Sequence, residues 1–582
     1  MNKVKLLQNP DYLMAYALGI SILGYLIPVH SPMHHDFLVN AFSFFIICLF
    51  TAPIVIKSSL TYCSLAILSW LGLAVVLLLQ PLFNTIRYPD ALIFPITCLL
   101  VIATTSYICS NIKNRRLFLS VLTPFVVIMA VLTFVIQFMQ LLDYQITWYD
   151  WIITRKTAIP DRLDGNFGQT NHAGYAFILA FILSLYQAQI NLRKTKQLVY
   201  YCLWVICIFG MAWTKSRAIW IMALLSIVVY FFYLPINNKL KLQRVAFFIV
   251  VFLAIYFIAS LLQGHLQSAQ STNLGALGRF DGIARSNRLA LNERALLMFQ
   301  SHPLTGVGWN NYMGESIEYA EQFSWPEIAD HSHFFLTQLM AELGILGVLT
   351  LIPIIWIIFK ALLNKNQTQE SAAVLAFVIA SVVFSCFEYP LWYFRYLVLF
   401  ACFVALIDKK PISVNAMSVA MRRVIVSLLL IVGIASTYYS WYYIQAGYLF
   451  YQFFLQTDVK NGDTQLSSAN LPPYGFINYY ERVLATVIPI NAQASDKKAD
   501  LFYRVIGLDS SQYNLFAYSQ FLAYEGKTQE SLKVLKAACI IVKQKDSCNH
   551  LQNHMQRLAQ ENPAVFENIY QNFIEWRATA QK

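Results

Sequence analysis

Long apolar runs separated by short polar intervals occupy most of the chain. Runs of about 17 to 26 residues, each long enough to cross a bilayer of roughly 30 Å as a helix, recur between residues 11 and 444. About thirteen are counted, near 11–29, 37–56, 59–80, 91–110, 117–141, 172–190, 197–213, 217–235, 245–263, 334–359, 371–387, 391–407 and 424–444. The first is not a cleavable signal: its tyrosine-rich core lacks a small-residue cleavage site and a second run follows almost at once. After residue 445 polar residues rise, and "NLFAYSQFLAYEGKTQESLKVLKAACIIV" (514–542) places apolar positions at helical spacing on both sides of Gly526. That pattern predicts a helix–turn–helix pair similar to one tetratricopeptide unit, which must pack on neighbours because one pair cannot bury its own face. The expected fold class is all-α: a polytopic membrane bundle of about 12 or 13 spans (1–444), followed by a helical domain at 445–582.

Composition agrees with this reading. Of the 582 residues, 58% are hydrophobic, 15% aromatic and only 12% charged, which is not the usage of a soluble protein. The net charge of +12 raises the possibility of nucleic-acid binding, but the basic residues sort by loop. "KNRR" (113–116), "RKTK" (193–196), "KLKLQR" (239–244), Lys360 with Lys365, and Lys409, Lys410, Arg422 and Arg423 fall in alternate loops. The positive-inside rule makes those loops cytoplasmic, together with an amino terminus carrying Lys3 and Lys5. Topology thus accounts for most of the surplus, and no nucleic-acid partner is expected. An odd number of spans places the tail on the opposite face, the periplasm of a bacterial inner membrane. Eight of the ten cysteines lie inside the runs as small apolar packing residues. Cys539 and Cys548, in "CIIVKQKDSC", lie close enough in sequence to close a short loop as a disulfide in an oxidising compartment.

Two far-side loops, 143–171 and 264–333, are long, and long loops in compact proteins are commonly functional. Lysine and arginine are almost absent from the apolar runs, whereas basic and polar groups gather at the far-side ends. They comprise Arg155, Lys156, Arg162 and His172; Lys215 and Arg217 in "WTKSRAIW"; Arg279, Arg285, Arg288 and Arg294; His331 and His333; and Glu388 and Arg395 in "CFEYPLWYFRY". Arginine on that side runs against the positive-inside tendency. A bound diphosphate explains it, since the guanidinium fork grips paired oxygens and stays charged near lipid. Pairing with loop acids or snorkelling to headgroups is the competing explanation for any one arginine.

"IADHSHFFLTQLMAELGILGVLTLIP" (328–353) opens on two histidines and then runs for two dozen residues with one acid, Glu342. Asp330 or Ser332 is expected to cap a helix whose first turn contains His333, and a helix amino terminus favours the neutral imidazole that accepts a proton. A metal pair at His331 and His333 finds no third ligand at supporting spacing, so no metal and no cofactor is expected. "DRLDGNFGQTNHAGYAF" (161–177) is a glycine- and asparagine-rich turn leading into a span, able to cradle phosphate or sugar hydroxyls or to serve only as a turn.

Taken in order, "SHPLTGVGWNNY" (301–312) and "HSHFFLTQLMAELGILG" (331–347), with Glu342, Gly344 and Gly347 in a Glu-x-Gly-x-x-Gly pattern, resemble the signature of the O-antigen ligase and polymerase superfamily. Members commonly carry Asn after the catalytic histidine where this chain has Phe334, which keeps His331 as the second candidate. "GNFGQTNHAGY" (165–175), "EYPLWYFRY" (388–396) and the long tail resemble the bacterial O-linked protein oligosaccharyltransferases of the PglL type, with a catalytic region over about 160–410. The resemblance implies transfer of an oligosaccharide from undecaprenyl diphosphate to a Ser or Thr hydroxyl of a periplasmic acceptor protein such as a pilin, without metal or nucleotide. It implies Arg217 and Arg288 at the diphosphate, with Arg279 and Arg285 as near alternatives to Arg288, and His333 as general base. Asn166, Gln169, Asn171 and His172 are expected to position sugar or acceptor, with Trp309, Trp325, Trp392 and Tyr393 as stacking surfaces or interfacial anchors. Lys215, Arg162, His331, Glu388 and Arg395 complete the expected binding set. The rival functions are ligation of O-antigen to lipid A core, O-antigen polymerisation, transport of a lipid-linked sugar, and a scaffold whose tail recruits partners.

Overall fold

The computed structural model describes residues 9–30, 36–148, 151–156, 161–266, 287–322, 329–365, 367–455, 474–540 and 545–580. Lys3, Lys5, Arg279, Arg285 and Trp325 lie outside them. The described chain is helical apart from two minimal antiparallel ladders, Tyr62–Cys63 with Ile412–Ser413 and Thr147–Trp148 with Trp151–Ile152.

Seven helices among the described residues are long and apolar enough to cross a membrane: Phe37–Lys57, Pro89–Cys109, Arg115–Leu141, Thr170–Ile190, Lys194–Trp213, Asn238–Leu266 and Val419–Gln445. Phe335–Leu349 and Ile352–Leu363 make an eighth if the pair is one broken span. This is fewer than the thirteen expected from hydropathy, and the reason is length. Several apolar runs form helices of only 14 to 16 residues, among them Arg217–Phe232, Gln369–Phe384 and Phe394–Ile407. The chain is thus an all-α, multi-pass membrane protein in which short apolar helices are interspersed among the spans.

Three helices begin where a side chain offers an acceptor for their first N–H groups. Asn9 caps Pro10–Leu23 by accepting from Asp11 N at 2.9 Å, Asn114 caps Arg115–Leu141 through Leu117 N at 2.9 Å, and Thr368 caps Gln369–Phe384 through Ser371 N at 3.2 Å. Inside the bundle, Thr51, Thr123, Thr133, Ser226 and Ser381 return their hydroxyls to the carbonyl four residues earlier. Those short bonds satisfy polar groups where water is excluded.

The chain divides into two compact units. The first comprises 1–73, 97–284 and 350–444, with Thr170–Ile190 as its most enclosed span. The second comprises 74–96, 285–349 and 445–582, so the tail is grouped with the histidine segment instead of forming a domain of its own. Arg87 is one reason. Its guanidinium lies 4.0 Å over the Tyr503 ring, pairs with Glu315 at 3.1 Å and donates to the Tyr503 carbonyl. Gly314 and Gly507 leave it room, because a Cβ at either would come within 2.6 Å or 2.5 Å of it. In the tail, Gln512–Tyr524 and Thr528–Ile540 form the expected pair about Gly526, whose φ is +74°. Leu515, Leu535, Phe566, Ile569 and Phe573 fill one core with residues Ile317 and Ala320, and a disulfide joins Cys539 to Cys548.

Candidate functional site

In the first unit the polar groups converge on a residue that the hydropathy pattern hides in a loop, Asp36. One carboxylate oxygen stands 2.5 Å from His30 Nδ1; the other stands 2.7 Å from Arg395 Nη2 and 3.3 Å from His172 Nδ1. Arg395 Nη2 is also 3.0 Å from His172 Nδ1. Asp36 and Arg395 are fully buried. An ion pair so enclosed is tolerable only when further polar and aromatic groups share the charge. Here Tyr396 lies 4.6 Å from the guanidinium, and Tyr25 donates to the Arg395 carbonyl at 2.6 Å.

The glycine-rich turn closes over this cluster. Gly165 and Gly168 take left-handed φ values of +60° and +70°, which turn the chain into Thr170–Ile190 with His172 in its first turn. The Asn166 carbonyl accepts from His30 Nε2 at 2.7 Å, and its side-chain amide donates to the Leu26 and Ile153 carbonyls at 2.8 and 2.9 Å. Arg155 N in turn donates to Asn166 Oδ1. Buried Asp164 is held by Gln140 at 2.8 Å, and burial pushes its carboxyl above the usual range.

From the same turn, Asn171 donates to Glu388 at 2.7 Å and accepts from Arg162 Nη2 at 3.3 Å, while Arg162 Nε reaches the Thr214 carbonyl at 3.0 Å. Buried Lys215 has a left-handed φ of +49° and its Nζ stands 3.6 Å from Asp161. Arg217, exposed, is the first residue of Arg217–Phe232. The structure thus joins Arg162, Asn171 and Glu388 in one bonded set and Asn166, His172 and Arg395 in another through His30 and Asp36, while Lys215 pairs with Asp161. His172 and Arg395 are enclosed and engaged by Asp36. Asp36 and His30 were not singled out from sequence.

In the second unit, Asn287–Ser301 packs against Phe335–Leu349. Asn292 is the fastener: its amide donates to the Arg288 carbonyl at 2.7 Å and the Ser332 carbonyl at 3.1 Å, and its oxygen accepts from Thr337 at 2.5 Å. The Ser332 N–H donates to Gln338 Oε1 at 2.7 Å. Arg288 is thereby carried on the helix turn that grips the loop between the histidines. His333 does not lie inside the first helical turn as expected. It stands two residues before Phe335 with φ +58°, a conformation sparsely adopted by residues other than glycine. The two imidazoles are 4.1 Å apart between centroids. His331 Nδ1 is hydrogen-bonded to Asp330, which fixes that ring's tautomer. The hydrogen bond and charge of His331, with His333 beyond, hold the carboxyl of Asp330 below the usual range.

The motif residues around this loop have tertiary reasons. Gly344 breaks its helix at φ +62°, ψ −158°, and a Cβ there would stand 2.4 Å from the Leu304 carbonyl. A Cβ at Gly306 would stand 2.3 Å from the Glu342 carbonyl carbon. The segment 303–308 therefore lies against the broken helix, with Val307 N donating to Ala341 O at 2.8 Å and Ile345 N donating to Pro303 O at 2.9 Å. Glu342, the lone acid of the run, is buried; its carboxylate accepts from Tyr312 N at 3.4 Å, and its carbonyl from Gln80 Nε2 at 2.8 Å. Its role in the fold is to receive the "GWNNY" turn.

The segment that carries both Arg288 and His333 is also the segment that matches known proteins: residues 202–352 match the O-antigen ligase family, Wzy_C. This segment is similar to an O-antigen ligase domain. It is also 26% identical over 241 residues to the ComP-specific O-oligosaccharyltransferase of Acinetobacter baylyi (strain ATCC 33305 / BD413 / ADP1). That alignment spans 41% of this chain and 42% of the relative, less than half of either. The family match agrees with the superfamily resemblance, and the relative's name agrees with the oligosaccharyltransferase one. Among the described residues no group of three or more His, Cys, Asp or Glu side chains is arranged to hold a metal ion. The Asp36 cluster has two histidines, but its carboxylate is already matched by a guanidinium.

Proposed function

We propose that this protein is a metal-independent oligosaccharyltransferase of a bacterial inner membrane. It transfers an oligosaccharide en bloc from undecaprenyl diphosphate to Ser or Thr hydroxyls of a periplasmic protein such as a pilin, at a site facing the periplasm. The observation that carries this reading is the Asn292 fastener, which ties the helix turn of Arg288 to the His331–His333 loop inside the ligase-family segment.

In this mechanism His333 accepts the acceptor hydroxyl's proton as its oxygen attacks the anomeric carbon. The bond from that carbon to the diphosphate oxygen breaks, and undecaprenyl diphosphate leaves with its electron pair. Arg288 and Arg217 balance the growing negative charge, with Arg279 and Arg285 close in sequence to Arg288. His331, oriented by Asp330, is the second candidate base. Gln169, Asn171 and Arg162 present polar groups to sugar or acceptor, supported from beneath by Asn166, His172, Lys215, Glu388 and Arg395.

The test is mass spectrometry of periplasmic proteins from cells with and without this chain. A glycan on Ser or Thr that disappears with the chain is expected, and a chelator is expected to leave transfer unchanged. The matched family is described by O-antigen ligation, which favours ligation to lipid A core as the second reading. Sugar gained by lipid A core, with protein unmodified, replaces the first reading with the second.

A further inference from the structure

The helix Arg115–Leu141 exposes Ile128, Leu132, Val135 and Phe138, and Leu142 follows at its end. Their spacings of four, three, three and four place them on one face. On a helix that qualifies as a span, such a face meets lipid tails. The apolar exposure does not stop where the helix does. It continues through Tyr144 (60% exposed), Ile146, Trp148 (67%), Ile152 and Ile153. These belong to a hairpin in which Thr147 pairs with Ile152 and Trp148 with Trp151, and Ile153 N donates to Ile146 O at 2.9 Å. Strand alternation puts Ile146, Trp148 and Ile153 on one face.

A two-stranded hairpin has little stability of its own, and one that exposes a tryptophan, a tyrosine and three isoleucines needs a surface to rest on. Its base is charged: Lys156 pairs with Asp143 at 3.1 Å, both exposed. Aromatic and aliphatic side chains beyond a charged base, continuous with a lipid-facing helix stripe, fit the boundary between headgroups and acyl chains. We propose that the paired segments 144–148 and 151–153 are seated in the interfacial layer of the bilayer, with Trp148 as their anchor. The seat is mechanically joined to the glycine-rich turn. Gln140 donates to the Arg155 carbonyl, Thr154 Oγ1 accepts from Ile146 N, and Asn166 holds both the Ile153 carbonyl and the Arg155 N–H. The depth of the hairpin in the membrane therefore sets the level of the turn that carries Asn166 and Asn171, independently of what reaction occurs there.

The experiment uses the full chain in nanodiscs of ordinary phospholipid and of the same lipid brominated near the headgroup end of its acyl chains. The emission of Trp148 is obtained as wild type minus Trp148→Phe. We expect this difference emission to be blue-shifted and to fall by at least about twofold in the brominated lipid, as for an indole at the interface. A tryptophan restored on the same face, Trp148→Phe with Ile153→Trp, is expected to be quenched likewise. Difference emission at the wavelength of a water-exposed indole, quenched by aqueous iodide and indifferent to bromine, overturns the proposal. So does indifference to bromine with a shift only on adding an acceptor protein, which makes the hairpin a protein-docking surface.

Discussion

The two polar clusters differ in how they treat charge. Around Asp36, a carboxylate, a guanidinium and two imidazoles are sealed from solvent and share their bonds among themselves. Around His333, the backbone is in a left-handed conformation, the neighbouring acid is largely exposed, and the two imidazoles lie close together at a tilt of 43°. A sealed, charge-matched cluster fixes geometry, since any change leaves a buried charge without its counterpart. A half-open cluster on a strained backbone is arranged to meet something that comes from outside. Under the proposed function, the first cluster is architecture and the second takes the proton.

The largest expected effect tests that assignment directly. His333→Ala should lower transfer by about 10²- to 10⁴-fold, the range of a lost general base, with membrane insertion and thermal unfolding unchanged. Arg288→Ala should cost about 10²-fold or more if its guanidinium stabilises the leaving diphosphate. Transfer assayed on a purified acceptor with each variant checks both. A fully active His333→Ala that is lost only on adding His331→Ala moves the base to His331.

Asp36→Asn should act through folding. Removing one partner of a buried pair costs about 3–5 kcal/mol, because Arg395 is left charged and enclosed. The expected result is a lower unfolding temperature in detergent, with part of the loss recovered when Arg395→Met is added. If Asp36→Asn is as stable as wild type yet inactive, the cluster belongs to the chemistry and the contrast between the two regions fails.

Much of the second cluster could be read along the chain because its parts are close together in sequence. His331, His333, Glu342 and Gly344 fall within fourteen residues, and "SHPLTGVGWNNY" precedes them as a motif. The helical class was equally legible from run length, and the pair about Gly526 from its spacing. The Asp36 cluster was only half legible: His172 and Arg395 stood out as polar groups in apolar surroundings, but the residue that binds them did not. Asp36 and Arg395 are 359 positions apart, and "VHSPMHHDF" looks like any polar connection. Hydropathy also reports how long an apolar run is and not where the helix inside it stops, which is why the count of spans came out high. Glu342 was conspicuous as a lone acid, but its task of receiving the Tyr312 N–H exists only in three dimensions.

Gly344→Ala should fall between the extremes. Its φ and ψ belong to a region reserved for glycine, at a cost of about 1–3 kcal/mol for other residues, and the added carbon meets the Leu304 backbone, which cannot step aside as a flexible side chain would. The strain is applied eleven residues after His333, in the helix that follows it. We expect a moderate loss of stability together with a loss of transfer, read by unfolding temperature and by kcat at saturating acceptor. Stability lost without any change in kcat separates the glycine break from the positioning of the histidines.

Asp330→Asn gives the smallest expected effect and the one with a pH signature. The Asp330 carboxyl is held below its usual range, so its ionised form is favoured in the folded protein. A depressed carboxyl contributes stability that is complete above the unfolded value of about 3.9 and is lost as pH falls through the lower folded value. Exposure of the side chain keeps that contribution within about 1 kcal/mol. Wild type should therefore exceed Asp330→Asn slightly in unfolding temperature at neutral pH, and the two should converge below about pH 4. If His331 relays orientation to the base, the variant should also lose kcat more than it raises KM, because the tautomer held by Asp330 is no longer fixed. An unchanged kcat with the same small stability difference leaves the Asp330–His331 bond as a loop fastener and concentrates the proton transfer on His333.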